Sequence, residues 1–202
     1  MQGVIGIKIV VATWNKVKLE QIQMVLKEVP LEITSLSKDM EDVEETAITF
    51  KGNARLKIET VKRYYPNDII VGEDSGLTID ALEGFPGVKT ARFSHGSDAD
   101  RAQLLMDRLK GVPLSKRTAQ FISVVALAFP DGKVLHSQGT MDGWIAKDIP
   151  SRLKGYGDIF LLSNDKVLTE QLEHTISPYD HRQIALFQAK QLIIDWLERK
   201  TT

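Results

Sequence analysis

The stretch IIVGEDSGLTIDALEGFPGVKTARF, residues 69–93, decides how the rest of the chain is read. It opens with an apolar, β-branched run, Ile69 to Val71, that reads as a buried strand closing on Gly72. The run then meets two adjacent carboxylates, Glu73 and Asp74, followed at once by Ser75 and Gly76. Asp-Ser-Gly is good turn chemistry, so a strand over 69–72 that turns at 74–76 is expected. Acids at a strand end often only face water. The sharper reading is a metal or base site, because open α/β sheets gather their chemistry at the carboxyl ends of strands.

Working outward from that strand, residues 7–13 (IKIVVAT) form a second buried strand. Leu19, Ile22, Val25 and Leu26 then recur at helical spacing over 17–28, and Pro30 ends that helix. Residues 31–37 alternate as a strand, and an acidic loop fills 38–45. Ala47, Phe50, Ala54, Ile58 and Val61 line one face of a helix running to about Tyr65. The order β-α-β-α-β argues for an α/β sheet. Downstream, Ser97 and Asp98 can cap a helix carrying Ala102, Leu105, Met106 and Leu109. A long strand over 118–129 turns at Pro130-Asp131-Gly132 into an antiparallel partner over 133–145. A further strand is expected over 158–162, and a final helix from His181 to about Glu198. The expected fold class is α/β: a long mixed β-sheet with flanking helices forming two lobes around a central cleft, one domain over 1–202.

Composition narrows the partners. The 202 residues are 43% hydrophobic and 26% charged, as in ordinary globular proteins. With 26 basic and 27 acidic residues the formal net charge is −1, so no global field recruits nucleic acid or an anionic membrane. The absence of cysteine excludes disulfides, thiolate metal sites and cysteine nucleophiles. Val4 to Ala12 is too short to span a bilayer and lacks the features of a secretory leader, so the expected location is cytoplasmic.

Several local patterns carry chemistry. Thr13-Trp14-Asn15-Lys16-Val17-Lys18 joins a strand to a helix, and its hydroxyl, amide and lysine suit phosphate oxygens at a helix N-terminus. It lacks the glycines of a Walker or dinucleotide loop. Glu44-Glu45-Thr46 is expected at the start of the second long helix, where acids complement the macrodipole or join Asp74 around a hard cation. Gly155-Tyr156-Gly157-Asp158 offers close backbone approach, a stacking face and an acceptor for the N–H groups of a base. His181-Arg182 places a guanidinium fork at a helix start, where the dipole disfavours it. His95, His136 and His174 show no metal-ligand spacing, and Trp144 and Trp196 are expected in the core.

Together these stretches resemble the inosine triphosphate pyrophosphatase family, which hydrolyses non-standard purine nucleoside triphosphates such as ITP, dITP and XTP. The resemblance rests on ATWNKVK (12–18), ETAITFKGNA (45–54), GEDSGLTIDALEGFPGVKTARF (72–93), GYGDIF (155–160) and HRQIAL (181–186), in family order across nearly the whole chain. It implies that Asp74 is the catalytic acid and a Mg²⁺ ligand, with either Glu44 or Glu45 as the second metal carboxylate. It matches Thr13, Asn15, Lys18 and Ser75 to the triphosphate pocket. Tyr156, Asp158, His181 and Arg182 match the purine end. It also implies a homodimer acting on free nucleotides.

The same assignment suits the chemistry of pyrophosphate release. A metal-held water must reach the α-phosphorus, and the departing β,γ-phosphates need positive charge. The chain departs from the family pattern at several positions. Trp14 replaces a glycine, Gly52 a glutamate, and Gln21 an acid, with Glu20 displaced by one. The base-side segment is shortened to 155–160. A lysine expected before His181 has Lys166 or His174 as its nearest match, and Pro178-Tyr179-Asp180 is inserted. Two rival readings follow: the same chemistry on another modified nucleotide, or a nucleotide-binding module with little catalysis. Glu73 is left as a neighbour, a ligand or a supporting acid.

Overall fold

A computed structural model describes residues 6–37, 39–41, 43–149, 153–162, 167–168 and 180–201. Among the described residues six strands form one mixed sheet: β1 (Lys8–Val11), β2 (Glu32–Ser35), β3 (Ile69–Ile79), β4 (Thr118–Ala128), β5 (Val134–Ile145) and β6 (Phe160–Leu161), in the order β2-β1-β3-β4-β5-β6. β1 runs parallel to β2 and β3, and β6 antiparallel to β5. Among the described residues the long helices are α1 (Lys16–Leu26), α2 (Phe50–Lys62), α3 (Asp98–Arg108) and α4 (His181–Thr201). The expected α/β class with a mixed sheet is therefore observed. No described helix is long and apolar enough to cross a membrane.

Three expectations need correction. β3 does not stop at Gly72; it runs on to Ile79, so Glu73, Asp74 and Ser75 lie inside a strand rather than at a turn. The alternation Leu77, Ile79 resumes after the acids and buries both side chains. Glu44, Glu45 and Thr46 do not begin a helix either. α2 starts at Phe50, capped by Thr49, whose hydroxyl accepts from the Gly52 N–H at 3.0 Å, and its first turn holds no acid. The strand expected over 158–162 is reduced to two residues, with Tyr156–Asp158 in a short 3-10 turn.

The chain divides into two compact units, residues 1–74, 123–139 and 181–202 in one, and 75–122 with 140–180 in the other. In the first, strand alternation separates two faces. Ile9, Val11, Ile69, Val71, Val125 and Leu127 pack with Ile22, Val25 and Leu26 of α1 and Ala185, Ala189, Ile193 and Trp196 of α4. Each valine, leucine or isoleucine among them that is fully removed from water contributes about 1.5–3 kcal/mol. α2 covers the opposite face through Ala54, Ile58 and Val61, all fully buried. Its approach to β3 is close: a Cβ at Gly72 would lie 2.7 Å from the Ala54 carbonyl oxygen and 2.9 Å from Ile58 Cγ2. Glycine is what lets the helix backbone sit that near the strand.

In the second unit, Leu77 and Ile79 pack with Ala102, Leu105, Met106 and Leu109 of α3 and with Ile145, Ile159 and Phe160. Ser97 caps α3 as expected, and its reciprocal partner in the capping box is Asp100, while Asp98 lies inside the helix. Arg117 is buried and spends its fork on the carbonyls of Leu109, Val112 and Ala146, tying the end of α3 to the end of β5. A buried guanidinium is tolerable there because its donors are satisfied.

Candidate active site

The site grows from the continuation of β3 past Gly72. Successive side chains on a strand point to opposite faces, so Asp74 shares the α2 face with Gly72, and Glu73 shares the α1–α4 face with Val71.

On the α2 face, Asp74 is buried at 3% exposure. Asn53 donates from Nδ2 to Asp74 Oδ2 at 3.0 Å, while its Oδ1 accepts from the Ala47 N–H at 2.9 Å. Those two bonds fix the orientation of the amide. One turn along α2, Lys57 pairs with Glu45 and donates to the Glu73 carbonyl at 2.8 Å. Burial pushes the Asp74 carboxyl up; Lys57 pulls it down, Glu45 pushes it up again, and the Asn53 bond and Lys18 lower it. The net direction is upward, which keeps Asp74 a better proton acceptor than an ordinary aspartate. Gly52 is part of this arrangement. A Cβ there would lie 2.6 Å from Ala47 Cβ, so the glycine lets the segment carrying Glu45 fold onto the first turn of α2.

On the α1–α4 face, Glu73 is also buried, at 1% exposure. Lys18 Nζ sits 2.8 Å from its Oε2, Arg182 Nε 3.1 Å from its Oε1, and Ser123 Oγ donates to Oε1 at 2.7 Å. Burial alone would push this carboxyl up. The charges of Lys18 and Arg182, with the bonds from Lys18 and Ser123, outweigh it and hold the group well below the usual carboxylate range. Arg182 also donates from Nη1 to Gln21 Oε1 at 2.6 Å. Two cations from two different helix starts thus meet on one carboxylate.

The remaining residues singled out in the sequence divide by unit. In the first, Thr13 Oγ1 accepts from the Asn15 N–H at 3.2 Å, and Asn15 caps α1 by accepting from the Lys18 N–H at 3.1 Å. His181 is 9% exposed in the first turn of α4. That turn docks on β5 at Gly139, where a Cβ would clash with the His181 carbonyl oxygen. Glu44 lines a surface pocket of about 520 Å³ with Leu56, Thr60 and Tyr64. Trp14 donates from Nε1 to the Met40 carbonyl at 3.1 Å.

In the second unit, Ser75 is partly buried on β3. Tyr156 is buried among Leu105, Ile159 and their neighbours, and donates to the Thr90 carbonyl at 2.6 Å. Burial pushes its phenol up to about 12, with Arg101 opposing. Asp158 Oδ2 accepts from the Lys154 and Gly155 N–H groups at 2.6 and 3.1 Å, closing its own turn. His95 is exposed, His136 is half-buried on β5, and Trp144 is partly buried opposite Leu161. Trp196 stacks on Phe129 in the core, as expected. Lys166, His174, Pro178 and Tyr179 lie outside the described residues.

Asn53, Lys57, Ser123, Gln21 and the role of Glu73 were not read from the sequence. A signal was present for two of them. Asn53 and Lys57 fall on the same helical stripe as Ala54, Ile58 and Val61, and polar residues on a buried stripe need partners.

Among the described residues, no group of three or more His, Cys, Asp or Glu side chains gathers as a metal cage. Asp74 and Glu45 offer two carboxylates close enough for each to feel the other, one of them desolvated. That donor set fits a hard divalent cation, which commonly takes one or two carboxylates and fills the rest of its shell with water and phosphate oxygens.

Fold and polar cluster together define a mixed-sheet α/β protein built around buried acids bridged by lysine and arginine. The chain belongs to the Ham1 family, whose model matches residues 9–192. It is 44% identical over 190 residues to a non-canonical purine NTP pyrophosphatase homolog of Halalkalibacterium halodurans, covering 94% of this chain and 97% of that protein. A dITP/XTP pyrophosphatase of Leuconostoc mesenteroides is 33% identical, with 95% and 98% covered. Among solved structures, a HAM1 protein from Coxiella burnetii superposes with a TM-score of 0.82 at 29% identity, covering 94% of this chain and 99% of that one.

Proposed function

We propose that this chain is a Mg²⁺-dependent pyrophosphohydrolase of non-standard purine nucleoside triphosphates, ITP, dITP and XTP, releasing the monophosphate and pyrophosphate. The observation that carries the proposal is Asp74: a buried, basic-shifted carboxylate held by Asn53 beside Glu45, in a chain whose relatives are named as such pyrophosphatases.

Asp74 would hold the metal with Glu45, whose charge acts on it, as the second carboxylate. When bound, the cation lowers the pKa of a coordinated water and neutralises phosphate oxygens. Asp74 orients a water and accepts its proton as the water oxygen attacks the α-phosphorus. The new bond is oxygen to α-phosphorus; the bond that breaks joins that phosphorus to the bridging oxygen, which leaves with pyrophosphate. Asn53 keeps the Asp74 carboxylate from rotating, and Lys57 keeps Glu45 beside it. Lys18, Thr13, Asn15, Ser75 and the first turn of α1 bind the triphosphate, and Lys18 offsets charge growing on the leaving group. His181, Tyr156 and Asp158 read the base, and Arg182, which shares the Glu73 carboxylate with Lys18, adds positive charge where the triphosphate meets the nucleoside. The protein acts as one catalytic domain over 1–202, as a homodimer, in the cytoplasm, on free nucleotides rather than nucleic acid or membrane.

Incubation of the pure protein with ITP, dITP, XTP, ATP and GTP plus Mg²⁺ tests this. Monophosphate and pyrophosphate from the first three are expected. Inorganic phosphate with a nucleoside diphosphate would overturn the α–β cleavage.

A second reading keeps the chemistry and changes the base. It is favoured by the engagement of Tyr156 with Thr90 and of Asp158 with its own turn. Pyrimidine triphosphates in the same panel discriminate: faster turnover of one of them than of ITP would establish it.

A further inference from the structure

Granted the triphosphate substrate proposed above, we propose that Gln21 is a positioning residue that holds Arg182 in place without adding negative charge, so that the Lys18–Glu73–Arg182 cluster keeps its attraction for the polyphosphate. The geometry has three parts. Arg182 is gripped from two sides, by Glu73 Oε1 at 3.1 Å and by Gln21 Oε1 at 2.6 Å. Glu73 is shared, since Lys18 Nζ lies 2.8 Å from its other oxygen. The two cations are largely shielded, with side-chain exposures of 19% for Lys18 and 15% for Arg182, against 0% for Glu73.

At that degree of burial an added charge acts through a lower effective dielectric than in water. An amide and a carboxylate at position 21 are nearly the same size and both accept from Nη1. They differ in one unit of charge. A glutamate at 21 would pair with Arg182 and compete with any anion for it. The amide supplies the same directional hold and leaves the guanidinium electrostatically available. Gln21 reaches Arg182 from the middle of α1, whose first turn carries Lys18, so one helix sets the charge at both ends of the cluster.

Binding of inorganic tripolyphosphate, measured by calorimetry at several KCl concentrations, tests this without catalysis. Gln21→Glu is expected to weaken tripolyphosphate about tenfold and to flatten the salt dependence. Gln21→Met removes the acceptor and adds no charge; it should weaken binding about threefold and keep the wild-type salt slope. In turnover, Gln21→Glu should raise KM about tenfold with kcat within threefold. Equal tripolyphosphate affinity in wild type and Gln21→Glu would overturn the role of Gln21. So would a loss for ITP with none for tripolyphosphate. If Gln21→Glu does not fold, Arg182→Gln lowers the charge of the cluster by the same one unit; it must weaken tripolyphosphate about tenfold and flatten the salt dependence, or the proposal fails. Failure of the wild type itself to bind tripolyphosphate would count against the substrate class instead.

Discussion

Glu73 and Asp74 are adjacent in sequence and face opposite sides of β3, Glu73 toward Lys18 and Arg182, Asp74 toward Asn53. One strand therefore presents a carboxylate to each layer of helices. Burial pushes both carboxyls up, but the net shifts are opposite: paired cations hold Glu73 low, while Asp74, with weaker compensation, stays raised.

Glu73→Gln should cost about 3–5 kcal/mol, the usual penalty for leaving buried charges without their partner. Urea unfolding at pH 7 measures it. Because the folded carboxyl lies below its ordinary value of 4.5, its stabilisation is complete above that pH and fades as pH falls below it. The acid limb of the wild-type stability curve should therefore be steeper than that of the variant.

Asp74→Asn should lower turnover by about 10²–10⁴-fold, the range for loss of a positioned general base. Its effect on stability should have the opposite sign to that of Glu73→Gln. A carboxyl raised above its unfolded value of 3.8 disfavours the folded state once pH exceeds that value. In metal-free buffer at pH 7 the variant should melt above the wild type, and the difference should vanish below about pH 3.8. A variant that melts lower at pH 7 would contradict the raised carboxyl.

Gly52→Ala places a methyl 2.6 Å from Ala47 Cβ and 3.0 Å from Thr49 Oγ1. Relief of that clash moves the segment that carries Glu45, at a cost of about 1–3 kcal/mol. The Mg²⁺ concentration for half-maximal activity should rise, while Asp74→Asn should change kcat. Unchanged Mg²⁺ dependence would separate Gly52 from the placement of Glu45.

Trp14→Phe keeps the ring and removes the N–H donated to the Met40 carbonyl, a loss of about 1 kcal/mol. Proteolysis at Asp39 to Glu41 should become faster, and phenylalanine should protect less than the wild-type tryptophan at any protease concentration. A glycine there, as the family resemblance would lead one to expect, should protect least.

Much of the architecture was legible before any coordinates. The helical stripes of α1, α3 and α4, the long strand at 118–128, the turn at Pro130-Asp131-Gly132 and the Ser97 cap all follow from local rules: periodicity, turn chemistry and capping. Local rules misjudged β3 because Asp-Ser-Gly carries a strong turn signal, and the later alternation of Leu77 and Ile79 was the weaker one. They placed Glu44 and Glu45 in a helix because acids favour first turns, whereas Thr49 supplies the cap.

The chain by itself determined that an α/β sheet would form and which residues fill its core, since each depends on patterns within a few residues. Only the tertiary structure decided that Glu45 shares a field with Asp74, and that Glu73 joins Lys18, Ser123 and Arg182 from positions up to 109 residues away. Those outcomes rest on strand register and helix docking, which set which side chains lose water together. Desolvation and charge pairing have no meaning for a residue until its distant neighbours are in place.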